Sequence, residues 1–78
     1  MSNSQFWRGG LVGYGEVGHI LAEDLRAQGV AVHAFDLKLA GEAGAPLRTH
    51  AASHGVVLHS SHAALAGQSD FIVSAVTA

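Results

Sequence analysis

The chain has no cysteine, one proline and few charges. Without cysteine there is no disulfide framework and no thiolate metal site, which fits a reducing compartment. Only four residues are Lys or Arg, against six acids, for a formal net charge of −2. That leaves no basic stripe for a nucleic acid to follow. No apolar run reaches the 18 or so residues of a membrane span. No basic segment followed by an apolar core opens the chain, so no signal peptide is read. Charged residues make up 13% of the 78 positions and hydrophobic residues 49%, where a free-standing domain carries about 25% charge. Part of the surface is therefore expected to be covered by something else. The expected setting is cytoplasmic, with no nucleic-acid or membrane partner.

Glycine, in contrast, is plentiful, with ten residues. The chain is organised around Gly10-Leu-Val-Gly-Tyr-Gly-Glu-Val-Gly18. Gly13, Gly15 and Gly18 have the G-x-G-x-x-G spacing between an apolar run and an amphipathic segment. A second apolar run then ends in Asp36, about 20 residues on, as the dinucleotide-binding fingerprint requires. Gly13 provides the tight turn, Gly15 lets backbone approach a pyrophosphate, and Gly18 lets the helix lie against the strands. The helix N-terminus would aim its N–H groups and positive dipole end at the phosphates. A carboxylate at Asp36 would accept from the adenine-ribose hydroxyls.

Residues 1–7 read as a lead-in and 8–78 as one α/β unit. The first strand is expected at Arg8–Val12, weakened by Gly9 and Gly10. A helix over Glu16–Gln28 places Val17, Ile20, Leu21 and Leu25 on its buried stripe, with Glu23 outside, and stops at Gly29. Val30–Phe35 reads as a buried parallel strand. A loop over 37–45 leads to a helix over Pro46–Ser53. Val56–Leu58 reads as a third strand, and His62–Ala66 as a short helix capped by Ser60 or Ser61. Phe71–Val76 reads as the fourth strand. The β-α-β-α-β-α-β pattern predicts a Rossmann-type parallel sheet in the order 3-2-1-4, with the ligand crevice between the first and fourth strands.

The motif region resembles the NAD(P)-binding domain of the β-hydroxyacid dehydrogenase family, which includes phosphogluconate and hydroxyisobutyrate dehydrogenases. The residues responsible are Gly10–Gly18, Ala22-Glu-Asp-Leu-Arg-Ala-Gln-Gly29, Ala34-Phe-Asp36 and Ser69-Asp-Phe-Ile-Val-Ser-Ala-Val-Thr-Ala78. The resemblance implies that the backbone of Tyr14, Glu16 and Val17 lies near the pyrophosphate. It places Asp36, Leu37 and Lys38 around the adenine ribose, and Val76 and Thr77 near the nicotinamide-side ribose. Members of that family go on to a catalytic lysine and a helical substrate domain. The expectation is accordingly the truncated N-terminal, cofactor-binding portion of an oxidoreductase, inactive alone. Glu16-Val17 departs from the common pattern, in which the second of these positions is Met. Asp36 favours NAD, and Lys38 keeps NADP open. The alternatives are a non-catalytic dinucleotide-binding sensor or regulatory module, and an interaction protein that has lost the ligand.

The six histidines include His50 and His54 at i, i+4 on a predicted helix, with His59 and His62 nearby. No cysteine, acid or H-E-x-x-H motif joins them, so no metal ligand is assigned and they read as solvated surface residues. No G-x-S-x-G elbow and no phosphate-loop motif is present. The uncharged run Phe71–Val76, read as an edge strand, predicts a homodimer or swapped oligomer through that strand.

Overall fold

A computed structural model describes residues 7–75. Strand β1 spans Arg8–Val12, helix α1 Glu16–Ala27 and strand β2 Ala31–Phe35. Helix α2 spans Gly44–His54, strand β3 Val57–Leu58, helix α3 His62–Gly67 and strand β4 Phe71–Ser74. The four strands form one all-parallel sheet in the order β3-β2-β1-β4, the order expected of a truncated Rossmann-like fold.

Each element follows from its residues. Gly29, at φ +84, ends α1 in the left-handed conformation that a residue with a Cβ rarely adopts. The Ser61 hydroxyl accepts from the Ala64 N–H and starts α3. Pro46 falls in the first turn of α2, where a missing N–H costs nothing. That helix begins at Gly44, two residues before the expected start. The expected loop over 37–45 opens with a 3-10 turn, Leu37–Ala40, capped by the Asp36 side chain.

Strand alternation divides the core. Leu11, Val32 and Ala34 face α1 and α2 and pack with Ala22, Leu47, Ala51 and Val56. On the other face, Phe35 meets the His62 ring of α3 edge-on, and His33 stacks on His59. Burial of β2 is thus alternating, with Val32 and Ala34 buried and its other residues half-buried, and not continuous as expected. The glycines of β1 are also more than weak points. A Cβ on Gly9 would lie 2.9 Å from the Phe71 ring, and one on Gly10 2.4 Å from Ser69 Oγ. The neighbouring side chains cover the bare backbone.

The buried face of α1 differs from the expected stripe. Gly18 and Ala22 are buried, with Leu21 and Leu25 packed at the edge of the core, whereas Val17 and Ile20 are 44% and 60% exposed. Two small residues four apart let the helix approach the sheet closely, which turns Val17 and Ile20 out of the contact. At the helix's far end the Arg26 guanidinium donates to the carbonyls of His54 and Val30, joining α1 to the C-terminus of α2.

The outer pair of strands is tied by Arg8 and Asp70. The Arg8 backbone N–H donates to Asp70 Oδ2 at 2.7 Å, and its guanidinium reaches Oδ1 at 3.2 Å. These Arg8 hydrogen bonds, the side-chain one foremost, hold the Asp70 carboxyl below its ordinary value of 3.8. The unfolded chain therefore takes up this proton first. The stability contributed is full above the ordinary value and is lost as pH falls through the lower folded value. Thermal unfolding from pH 6 downward should show Asp70→Asn less stable than the parent near neutrality, with the gap closing in strong acid. An equal gap at every pH would contradict the assignment.

Candidate functional site

The turn between β1 and α1 is built by three glycines with three different roles. Gly13 has φ +96, a conformation that bars a side chain, while its N–H extends the β1–β2 ladder to the Phe35 carbonyl at 2.8 Å. Gly18 sits on that turn: a Cβ there would fall 2.5 Å from the Gly13 carbonyl oxygen. Gly15 has φ −87, which any residue adopts, and a Cβ there would meet nothing within 4 Å. The fold needs glycine at 13 and 18. At 15 the bare backbone keeps the entrance of α1 clear.

Gly15 is also the N-cap of α1, and no side chain among the described residues caps the helix. The first-turn N–H groups and the positive dipole end consequently open outward. They face a cleft of about 620 Å³ over the C-terminal ends of β1 and β2. Gly13, Gly15, Glu16, Val17, Asp36, Leu37 and Lys38 all line it, seven of the residues expected from sequence. Val12, Ile20, Phe35 and Ala75 line it as well and were not anticipated. Ile20 had been placed in the buried stripe; its exposure, with that of Val17 and the 84% of Leu37, is apolar surface left on the cleft's walls. Val76 and Thr77 lie outside the described residues.

Tyr14 and Gly18 stand behind the cleft and do not line it. The Tyr14 backbone N–H donates to Asp36 Oδ2 at 2.7 Å, so it is already engaged. The donors left toward the cleft belong to the first turn of α1. Asp36 Oδ1 accepts from the Lys38 N–H at 2.8 Å. The Asp36 carboxylate thus braces the turn and caps the 3-10 segment. Each carboxylate oxygen has a second lone-pair direction, so capacity to accept from a ligand hydroxyl remains. Glu16 and Asp36 bring negative charge to the cleft, and Lys38 brings positive charge.

A second constellation lies between α1 and α2. The Tyr14 side chain is fully buried, and its hydroxyl pairs with His50 Nδ1. His50 Nε2 lies 2.8 Å from Glu23 Oε2, and His54 Nε2 lies 3.8 Å from the same oxygen. The His19 ring stacks on His50 at 3.9 Å and within 3° of parallel. These histidines differ from the expected solvated surface residues. The His50 side chain is only 14% exposed, and an acid does join the pair, supplied by α1. His59 belongs elsewhere, hydrogen-bonded to His33 at 2.7 Å on the opposite face. Burial, followed by the His50 charge, depresses the His19 pKa, and the hydrogen bond from His50 lowers that of Glu23.

The chain matches no protein-family model and none of the curated proteins. The functional reading therefore rests on the sequence motif and the geometry.

Burial, with a smaller contribution from Glu23, pushes the Tyr14 phenol up to about 12, so it stays a neutral hydroxyl at working pH. Tyr14→Phe keeps the ring that fills the core and strands the half-buried His50 Nδ1. Leaving such a group without its partner costs about 1–3 kcal/mol. Urea unfolding at pH 7.5 should show that loss with an unchanged slope. A neutral substitution would mean that water replaces the hydroxyl.

Proposed function

We propose that this chain is the dinucleotide-binding portion of an oxidoreductase resembling the β-hydroxyacid dehydrogenases, with NAD as its cofactor. The observation that carries the reading is the uncapped N-terminus of α1 opening at Gly15 onto the cleft. The cradle has room for a pyrophosphate: a Cβ at 15 would project into open space beside the helix entrance and meet no described residue within 4 Å. The first-turn N–H groups of Glu16 and Val17 would hold the phosphates. Asp36, Leu37 and Lys38 would hold the adenine ribose, and the exposed faces of Val17, Ile20 and Leu37 would shield the ligand's apolar surface. When bound, the nicotinamide would supply a hydride acceptor. The chain's own part is to bind and orient that ring. Lys38, the chain's one lysine, belongs to the adenine side in this arrangement.

Titration calorimetry of the 78-residue chain with NAD, NADP and ADP-ribose tests the proposal. NAD and ADP-ribose should bind, and NADP more weakly, because the Asp36 carboxylate repels a 2′-phosphate more than Lys38 attracts it. Gly15→Val should cut NAD affinity at least tenfold with the far-UV spectrum unchanged, since a Cβ there meets no atom of the described residues within 4 Å. Full NAD affinity in that variant would remove the ligand from this turn. Tighter binding of NADP than NAD would reverse the cofactor choice.

For a protein partner we propose a second copy of this chain, meeting it at β4. Among the described residues β4 pairs only with β1, and Phe71–Ser74 carries no charge. An edge of that kind lacks the usual protection against strand pairing. Ile72 is 48% exposed, whereas Val73 packs against the core, so Ile72→Lys charges the strand with least harm to the fold. Sedimentation over a concentration series should show the parent associating and Ile72→Lys monomeric. A parent that stays monomeric at high concentration would exclude the partner.

A further inference from the structure

We propose that Glu23, His50 and His54 form a binding site for a divalent transition-metal ion of the zinc class, which clamps α1 to α2. The donor set is two imidazoles and a carboxylate, a recurring zinc set that leaves a fourth position open. Its three ligand atoms all lie within 4.8 Å of one another. Tetrahedral zinc ligands at about 2.0–2.2 Å from the ion stand about 3.3–3.6 Å apart, so small side-chain rotations bring the three atoms onto one ion. His50 and His54 stand one helical turn apart on α2, and Glu23 reaches them from α1.

The surroundings prepare the ligands. The Tyr14 hydroxyl engages His50 Nδ1, which fixes the ring and directs Nε2 to the site. Support of a ligand imidazole through its second nitrogen is the usual outer-shell device. His19 stacks on the same ring and fixes its plane. His19 Nε2 is shielded from solvent and has no hydrogen-bond partner among the described residues. Such an orphan calls for an explanation, and water held by an ion at the open position would give it a partner. Entry is unobstructed, because Glu23 and His54 are 50% and 39% exposed.

The clamp also answers a need of the fold. A chain of this length builds a small core, and without cysteine it has no disulfide to supplement it. A metal that joins two helices binds the folded state only, so binding stabilises that state. This site stands apart from the cleft, and its occupancy does not depend on the dinucleotide proposal.

Zinc chloride titrated into the metal-stripped full chain should bind with one-to-one stoichiometry and raise the thermal midpoint by several degrees. Cobalt(II) in its place should give the intense visible absorption of a four-coordinate site. His54→Ala and Glu23→Gln, both checked by circular dichroism, should each weaken zinc binding at least tenfold and abolish the thermal shift. Glu23→Gln keeps an acceptor for His50, so it reports the lost ligand charge with little change to the packing. No saturable binding below about 100 µM zinc would overturn the proposal. Undiminished binding in both variants would also overturn it, by placing the ion at another histidine pair such as His33 and His59.

Discussion

The hydrogen bond from the Tyr14 N–H to the Asp36 carboxylate joins the two strand ends on which the cleft is built. It comes just after Gly13, whose left-handed turn takes the chain out of β1. Asp36 holds the return with one oxygen and starts the 3-10 segment with the other. Tyr14 meanwhile sends its ring into the core and its hydroxyl to His50. One residue therefore belongs to the turn, the core and the histidine cluster together. A disturbance at any of the three is transmitted to the others through a buried ring that has no room to tilt.

This arrangement also explains the choice of residues at the cleft. Two carboxylates on one cleft repel each other on charge alone. At Asp36 two backbone N–H groups offset that cost by donating hydrogen bonds to the carboxylate. Glu16 lies in the first turn of α1, where the helix dipole favours an acid. The two acids thus make sense for the fold.

Much of the architecture was legible in the sequence because it rests on local rules. The glycine spacing, the stop at Gly29, a cap at Ser60 or Ser61 and the alternation of apolar runs with helical segments led to the 3-2-1-4 sheet. What was not legible depended on distance in the chain. Periodicity put Val17 and Ile20 on the buried face because they are the larger apolar residues. The structure buries Gly18 and Ala22, since close approach to the turn at Gly13 favours small side chains over large ones. The two large residues were released to the cleft wall. The histidines followed the same logic: His50 and His54 lack an acid nearby in sequence, and the docking of α1 on α2 delivers Glu23 from 27 residues away.

The two constellations share α1 as their common beam. Its N-terminus opens on the cleft, and Glu23, about two turns along, faces α2. A rigid beam of this kind transmits displacement, so the position of the helix entrance depends on how firmly α1 is held to α2. Arg26 holds the far end through the His54 and Val30 carbonyls. Glu23 holds the middle through His50. Gly18 leaves little slack at the near end, because a Cβ there would fall 2.5 Å from the Gly13 carbonyl oxygen. The apolar packing beneath α1 is modest, with Gly18 and Ala22 as its buried residues, so these polar ties carry a larger share of the positioning than a leucine-rich interface would leave to them. The entrance at Gly15 is thus set from the α2 side of the helix as well as by the glycine turn itself.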